Sequence, residues 1–274
     1  MNTTERVLLL PGSVLPAAPA YGALIEALHD QHGDQVEAVA KDLEVYATDQ
    51  PPADYSLDDE VAGVLREADA RGWNTFHLVG YSGGGASALA FTAKHPDRLR
   101  SLALLEPAWA GNWDWSPAHT ELWKKYDALR ALPAEEFMAQ FVRLGVRPGV
   151  AAGLPTGSGP QPPWMAKRPA GIKAFLRTFK TYDLDRAALA AFRRPVYFAL
   201  GALSNPDDYG DIAERLSKVF PNFHLEVFDS RHHFDPPHRT EPARLATALT
   251  VTWLQASRTT AAQEHGEGTV ATQP

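Results

Sequence analysis

The chain has 274 residues, 45% of them apolar and 22% charged, enough for one large domain with a sizeable core or for two small ones. It has no apolar run of the roughly 18 residues that a membrane span needs, and its net charge of -7 opposes the field that gathers nucleic acid. The absence of cysteine excludes disulfides, thiolate metal sites, iron–sulfur clusters and cysteine nucleophiles, which leaves covalent chemistry to oxygen or nitrogen.

The first apolar run, Val7 to Leu10, ends at Pro11-Gly12 and is preceded by one basic residue, Arg6. It is too short for the core of an export signal, and the expectation is a soluble, cytoplasmic protein. Further β-branched or leucine-rich runs follow at Val36 to Ala40, Phe76 to Gly80, Leu102 to Glu106, Val196 to Gly201 and Phe223 to Phe228. Each reads as a buried strand. The segments Tyr21 to His32, Leu57 to Arg71, Gly84 to His95, Ile212 to Phe220 and Pro242 to Ala256 carry apolar residues at helical spacing. This alternation predicts an α/β fold with a mostly parallel sheet flanked by helices.

The alternation breaks between Pro107 and about Ala190, a stretch without a strand pattern that holds five of the seven tryptophans. Helical pieces are predicted there over Pro117 to Leu132, Glu135 to Leu144 and Gly171 to Thr181, with a Gly/Pro-rich connector from Arg147 to Pro163. The expected organisation is a core of residues 1–106 and 191–256, a helical lid of residues 107–190 inserted after the strand ending near Glu106, and a polar, flexible tail from 257 to 274. No repeat of solenoid length occurs.

Directly after Phe76-His77-Leu78-Val79 comes Gly80-Tyr81-Ser82-Gly83-Gly84-Gly85, followed by the helix formers Ala86 to Ala93. A serine at the centre of Gly-x-Ser-x-Gly between strand and helix sits on a tight, strained turn, and the flanking glycines remove side chains that would clash there. Ser82 becomes the candidate nucleophile, with backbone N–H groups of the helix start, Gly83 first, aimed where an oxyanion would form. No Lys-Ser or Lys-Thr follows the glycines, which sets aside a phosphate loop. The competing reading is a glycine-rich turn with a solvated serine.

With these residues the chain resembles the α/β-hydrolases from Val7 to about Ala256. Leu8-Leu9-Leu10-Pro11-Gly12 is similar to the family's strand ending in His-Gly, with Pro11 in place of the histidine. The resemblance implies that the backbone N–H of Ser13 is the second oxyanion donor. The strand lies close to the start of the sequence, so the antiparallel strands that usually open the family's sheet are expected to be missing.

A serine hydroxyl is too weakly acidic to attack unaided, so a histidine must take its proton and a carboxylate must orient that histidine. Three histidines cluster in Asp229-Ser230-Arg231-His232-His233-Phe234-Asp235-Pro236-Pro237-His238. Alignment of Phe234 with the family's Gly-His-Phe makes His233 the base, with His232 and His238 as alternatives. Three imidazoles and Asp235 also invite a metal reading, but the segment is stiffened by prolines and no matching ligand set occurs elsewhere, so no metal or organic cofactor is expected. His77, on a strand, reads as structural.

Where the family usually has Gly-x-x-Asp after the strand that follows the lid, this chain has Gly201-Ala202-Leu203-Ser204. A subset of the family uses a carboxylate at the end of the preceding strand, where Glu106 stands. A glutamate closing an apolar strand is expensive to bury without a partner. Glu106 is the expected acid, with Asp207 and Asp208 as alternatives and a lid-capping role as the bland reading.

The aromatic lid suggests an apolar substrate group, with Trp109, Trp113 and Trp164 as candidate pocket residues, although most such rings would simply pack lid on core. The lid carries 11 Lys and Arg against 7 Asp and Glu. This excess either draws an anionic substrate or sits on solvated helix faces. The implied activity is that of a serine hydrolase cleaving a carboxylic ester or related acyl bond of a small molecule through an acyl-enzyme. A ligand-binding protein without turnover, an acyltransferase and a carbon–carbon bond hydrolase use the same parts. Reactions that need an aspartate nucleophile do not fit Ser82.

Overall fold

A computed structural model describes residues 4–153 and 161–267, with the backbone alone for 258–267. The six apolar runs form six strands: β1 (Glu5–Leu10), β2 (Val36–Ala40), β3 (Phe76–Tyr81), β4 (Leu99–Leu105), β5 (Val196–Gly201) and β6 (Phe223–Phe228). They pair in the order β2-β1-β3-β4-β5-β6, and each pairing is parallel. Parallel strands need crossover connections, and helices supply them: α1 (Ala17–His32), α2 (Leu57–Ala70), α3 (Gly83–Lys94), α4 (Pro117–Leu129), α5 (Ala134–Leu144), α6 (Arg168–Thr181), α7 (Arg186–Ala191) and α8 (Asp211–Val219), while α9 (Pro237–Thr240) and α10 (Pro242–Glu267) follow β6.

The central strands β1, β3, β4 and β5 are mostly apolar and buried because helices cover both faces of the sheet, whereas the edge strand β6 is largely exposed. Side chains alternate across a strand, so Leu8 and Leu10 of β1 join a core with Val61 and Val64 of α2 and Leu89 of α3. Val7 and Leu9 face the other way, onto Tyr21, Leu24 and Leu28 of α1 and Leu245, Leu249 and Trp253 of α10. The start of α2 is fixed by a reciprocal cap in which Ser56 accepts from the Asp58 N–H and the Ser56 N–H donates to Asp59.

Four helices, α4 to α7, stand between β4 and β5. They are tied to the core by hydrogen bonds from the Thr178 hydroxyl to the Tyr55 carbonyl at 3.0 Å and from the Tyr182 hydroxyl to Asp58 at 2.6 Å. Helix α7 is too short for its periodicity to stand out in the sequence; its start is capped by Asp185, which accepts from the Ala188 N–H at 2.9 Å. Residues 154–160 of the Gly/Pro-rich connector lie outside the described residues.

The last helix continues past Ala256 to Glu267, so the tail expected from Ser257 has helical backbone that far. The run Ala261-Ala262-Gln263-Glu264 consists of good helix formers, which outweighs its polarity. Residues 268–274 lie outside the described residues. Among the described residues no helix is long and apolar enough to cross a membrane.

The turn from β3 into α3 lies against the loop that leaves β1. The Gly84 N–H donates to the Pro11 carbonyl at 3.0 Å, and a Cβ on Gly84 would come within 2.5 Å of the Leu10 and Pro11 carbonyl oxygens. Both obstacles are backbone, so neither can swing aside. We expect Gly84→Ala to lower stability in urea unfolding by about 1–3 kcal/mol. Gly22 of α1, with open space where a Cβ would go, should gain about 0.5–1 kcal/mol on substitution by alanine.

Candidate active site

Two neighbouring strands end in non-glycine residues held in the left-handed region of backbone space. Ser82, after β3, has φ 53 and ψ -117, and Glu106, after β4, has φ 46. Each conformation costs about 1–3 kcal/mol and persists only where its surroundings over-determine it. The Ser82 N–H donates to the Leu105 carbonyl at 3.1 Å, and its carbonyl accepts from the N–H groups of Ala86 at 3.1 Å and Ala108 at 2.9 Å. The Glu106 N–H donates to the Ala199 carbonyl at 3.3 Å. Because Tyr81 and Leu105 are in register, the two residues that follow them emerge side by side at the carboxyl edge of the sheet.

His233, in the loop after β6, joins them. Its Nε2 lies 3.0 Å from the Ser82 hydroxyl and its Nδ1 lies 3.1 Å from Glu106 Oε2. The carboxylate only accepts, which puts the ring proton on Nδ1 and leaves Nε2 free to accept from the serine. The second oxygen, Glu106 Oε1, accepts from the Gly201 N–H at 2.7 Å. All three side chains are buried, at 4% exposure for Ser82 and Glu106 and 1% for His233. The imidazole is wedged in place: the Tyr209 ring stacks on it at 4.2 Å and 12°, Phe234 meets it edge-on, and the Tyr81 hydroxyl donates to the His233 carbonyl.

Ser82 and Ser13 open onto a narrow, largely apolar cavity lined by Trp123 and Tyr126 of α4, Phe141 of α5, Ile172, Phe175, Leu176 and Phe179 of α6, and Asp208 and Tyr209. Ser13 sits against the start of α3, since a Cβ on Gly83 would come within 2.5 Å of the Ser13 hydroxyl. The Ser13 carbonyl accepts from the Tyr46 hydroxyl at 2.7 Å, and the Arg168 guanidinium, at the start of α6, lies over the Tyr46 ring at 3.9 Å.

The other candidates lie elsewhere. His232 is half-buried, and its Nδ1 accepts from the Phe234 N–H. His238 is fully buried between the rings of Tyr21 and Tyr81, and neither ring nitrogen has a partner. Burial, with Arg239 and His233 adding to it, pushes His238 down to about 3. The three imidazoles therefore diverge, and among the described residues no group of three His, Cys, Asp or Glu side chains is placed to hold a metal ion. His77 bridges Ser101 at 2.7 Å and Glu5 at 3.0 Å, away from Ser82.

Asp207 has an exposed side chain, and its carbonyl accepts from His119. Asp208 turns into the cavity lining and bonds Tyr126, not His233. Trp109, Trp113 and Trp164 are not among the residues that line the cavity beside Ser82. Trp109 stacks beneath Phe179 at 5.3 Å, Trp113 flanks a surface hollow with Arg186, and Trp164 another with Arg168. Tyr126 and Tyr209 of the lining had no place in the sequence reading. The lining of α6 was marked by its spacing, with Ile172, Phe175, Leu176 and Phe179 on one helical face.

A strained serine after one strand, an acid after the next and a histidine from the last loop meet at one edge of this sheet, the acid at the strand end where a subset of the α/β hydrolases has it. A family model described as alpha/beta hydrolase fold matches residues 23–234, and the chain belongs to that family. Over 55 residues, 20% of this chain and 21% of the relative, it is 40% identical to a RutD protein of Caulobacter segnis whose name ascribes carbamate hydrolysis to it. Over 76 residues, 28% of this chain and 27% of the relative, it is 37% identical to 2-hydroxy-6-oxo-6-phenylhexa-2,4-dienoate hydrolase of Comamonas testosteroni. The alignments thus span little more than a quarter of these relatives at most.

Among solved structures, a thermophilic esterase from Thermogutta terrifontis superposes with a TM-score of 0.63 at 18% identity, covering 93% of this chain and 91% of the esterase. MenH from S. aureus gives 0.66 at 17% identity, covering 93% and 95%. At these identities the likeness is one of fold.

His238 sets an acid limit on stability. Its folded pKa is depressed, so its contribution is fully present above the ordinary value of 6.5 and is lost as pH falls from there toward about 3. Between pH 6 and 4, at about 1.4 kcal/mol per pH unit for one proton, unfolding measurements should give the parent protein a steeper loss than His238→Phe, which keeps the ring contacts.

Proposed function

We propose that the chain is a serine hydrolase that cleaves an ester or related acyl bond of a small, largely apolar substrate through an acyl-enzyme. The Ser82 hydroxyl attacks the carbonyl carbon while His233 Nε2 takes its proton. Glu106 holds the ring in the required tautomer and stabilises the imidazolium. The oxyanion that develops meets the backbone N–H groups of Ser13 and Gly83. The imidazolium then protonates the leaving alcohol, and His233 removes a proton from the water that releases the acyl group. The observation that carries this reading is the unbroken chain of 3.0 Å and 3.1 Å contacts from Ser82 through His233 to Glu106, at the floor of an apolar cavity.

Residues 107–190 act as the lid in this scheme, because α4 to α6 supply most of the cavity wall. The cavity's narrowness supports a small substrate. A second reading, cleavage of a carbon–carbon or carbamate bond by the same relay, draws its support from the names of the Comamonas and Caulobacter relatives.

Ser82→Ala should abolish both labelling by a fluorophosphonate and hydrolysis of p-nitrophenyl butanoate. Glu106→Gln should lower kcat by about 10³- to 10⁴-fold through the wrong imidazole tautomer, while Asp207→Asn stays within about threefold of the parent. A large loss in the Asp207 variant with little in the Glu106 variant would remove Glu106 from the relay.

A further inference from the structure

The cavity beside Ser82 contains one carboxyl group that the relay does not use. Asp208 is 2% exposed and lines the cavity among aromatic rings. Its Oδ2 accepts from the Tyr126 hydroxyl at 2.9 Å, and its Oδ1 has no hydrogen-bond partner. Leaving a buried carboxyl oxygen unpaired is costly, and such a group in a cavity wall points to a ligand that pairs it.

The neighbouring charges define the sign of that ligand. His119 lies 3.8 Å from Asp208 Oδ1, beyond hydrogen-bond range, and its Nδ1–H is already given to the Asp207 carbonyl at 2.8 Å. Burial holds His119 below its ordinary range, so the ring is neutral. The Arg215 charge is matched by Asp211, which accepts from its Nε at 2.7 Å, and Arg215 Nη1 donates to the Ala110 carbonyl at 3.0 Å. Tyr126 supplies a hydroxyl and no charge. The Asp208 carboxyl is the acidic group that remains without a cationic partner, and among the described residues no Lys or Arg lines the cavity.

Around it stand the rings of Trp123, Tyr126, Phe141, Phe175 and Phe179. Aromatic faces attract a cation and repel an anion. The excess of basic residues in the inserted segment does not reach this cavity: Lys124, Arg130, Lys167, Lys180 and Arg186 form ion pairs with Glu121, Asp127, Asp49, Asp127 and Asp114 respectively.

We infer that the Asp208 carboxyl, with the aromatic rings around it, is a specificity site for a protonated amine on the substrate, so that the preferred substrates are esters or related acyl compounds with an ammonium group in the part that does not react. The ammonium N–H pairs the free carboxyl oxygen, and its alkyl groups lie on the rings. Burial pushes the Asp208 carboxyl up to about 7, with Asp211 and Glu106 adding to the rise and Tyr126 and Arg215 opposing it. A docked ammonium offsets that desolvation. The inference rests on the reading that this cavity receives the substrate of Ser82.

The test compares 2-(dimethylamino)ethyl butanoate with its uncharged isostere 3-methylbutyl butanoate. Calorimetric binding to Ser82→Ala protein, which cannot turn over by the proposed route, should give a Kd on the order of ten- to a hundredfold lower for the ammonium ester. In Ser82→Ala/Asp208→Asn protein the two Kd values should converge. Equal Kd values in Ser82→Ala, a preference for the isostere, or binding of neither ester overturns the inference without any further variant. So does a preference that survives Asp208→Asn. If that variant fails to fold, as judged by circular dichroism, the Ser82→Ala comparison decides alone. Hydrolysis by the parent protein is read separately: ammonium-selective binding without hydrolysis refutes the serine hydrolase reading alone, and hydrolysis without selectivity refutes the amine site alone.

Discussion

The structure depends on two adjacent parallel strands that end, level with each other in register, in residues forced to positive φ. Ser82 and Glu106 are both left-handed, both buried and both held by backbone hydrogen bonds to the neighbouring strand. Neither is a glycine, so the strain at each must be offset by the packing around it. The glycines at 80 and 84 make this possible: Gly80 lets the first turn of α3 fold back on β3, and Gly84 lets that turn touch the loop after β1 without an intervening side chain. The placement of the serine and the glutamate is thereby a property of the carboxyl edge of the sheet, and only the imidazole is contributed by a loop.

That loop is not free to wander. The His233 ring lies against Tyr209, its carbonyl is held by Tyr81, and Phe234 closes one side against Phe141. Tyr81 is the residue before Ser82, so the strand that carries the serine also holds the backbone of the histidine. Ring and hydroxyl are thus referenced to the same strand end, although 151 residues separate them in sequence.

Much of this was legible in the sequence, for identifiable reasons. All six strands declared themselves as apolar runs, the four central ones because helices cover them on two faces, and the elbow declared itself because strain at Ser82 demands its glycines. Glu106 was legible as a carboxylate too costly to bury alone, but its second partner, the Gly201 N–H on the next strand, is set by sheet register, which no local pattern records. The pocket was misread. Counting tryptophans gives aromatic content without direction, and Trp109, Trp113 and Trp164 turned out to pack around the cavity's outer layers or on separate hollows. The helical spacing of residues 172, 175, 176 and 179 carried the directional signal. Asp208 was considered only as a proton-relay acid, since whether a carboxyl faces an imidazole or a ring of aromatics depends on how the loop after β5 folds onto α4.

The contact between Arg168 and Tyr46 has a mechanical consequence. Arg168 begins α6, Tyr46 belongs to the segment after β2, and the Tyr46 hydroxyl grips the Ser13 carbonyl. The start of the third helix of the inserted segment and the loop bearing Ser13 are thus yoked through one phenol ring, so the place of either sets the place of the other.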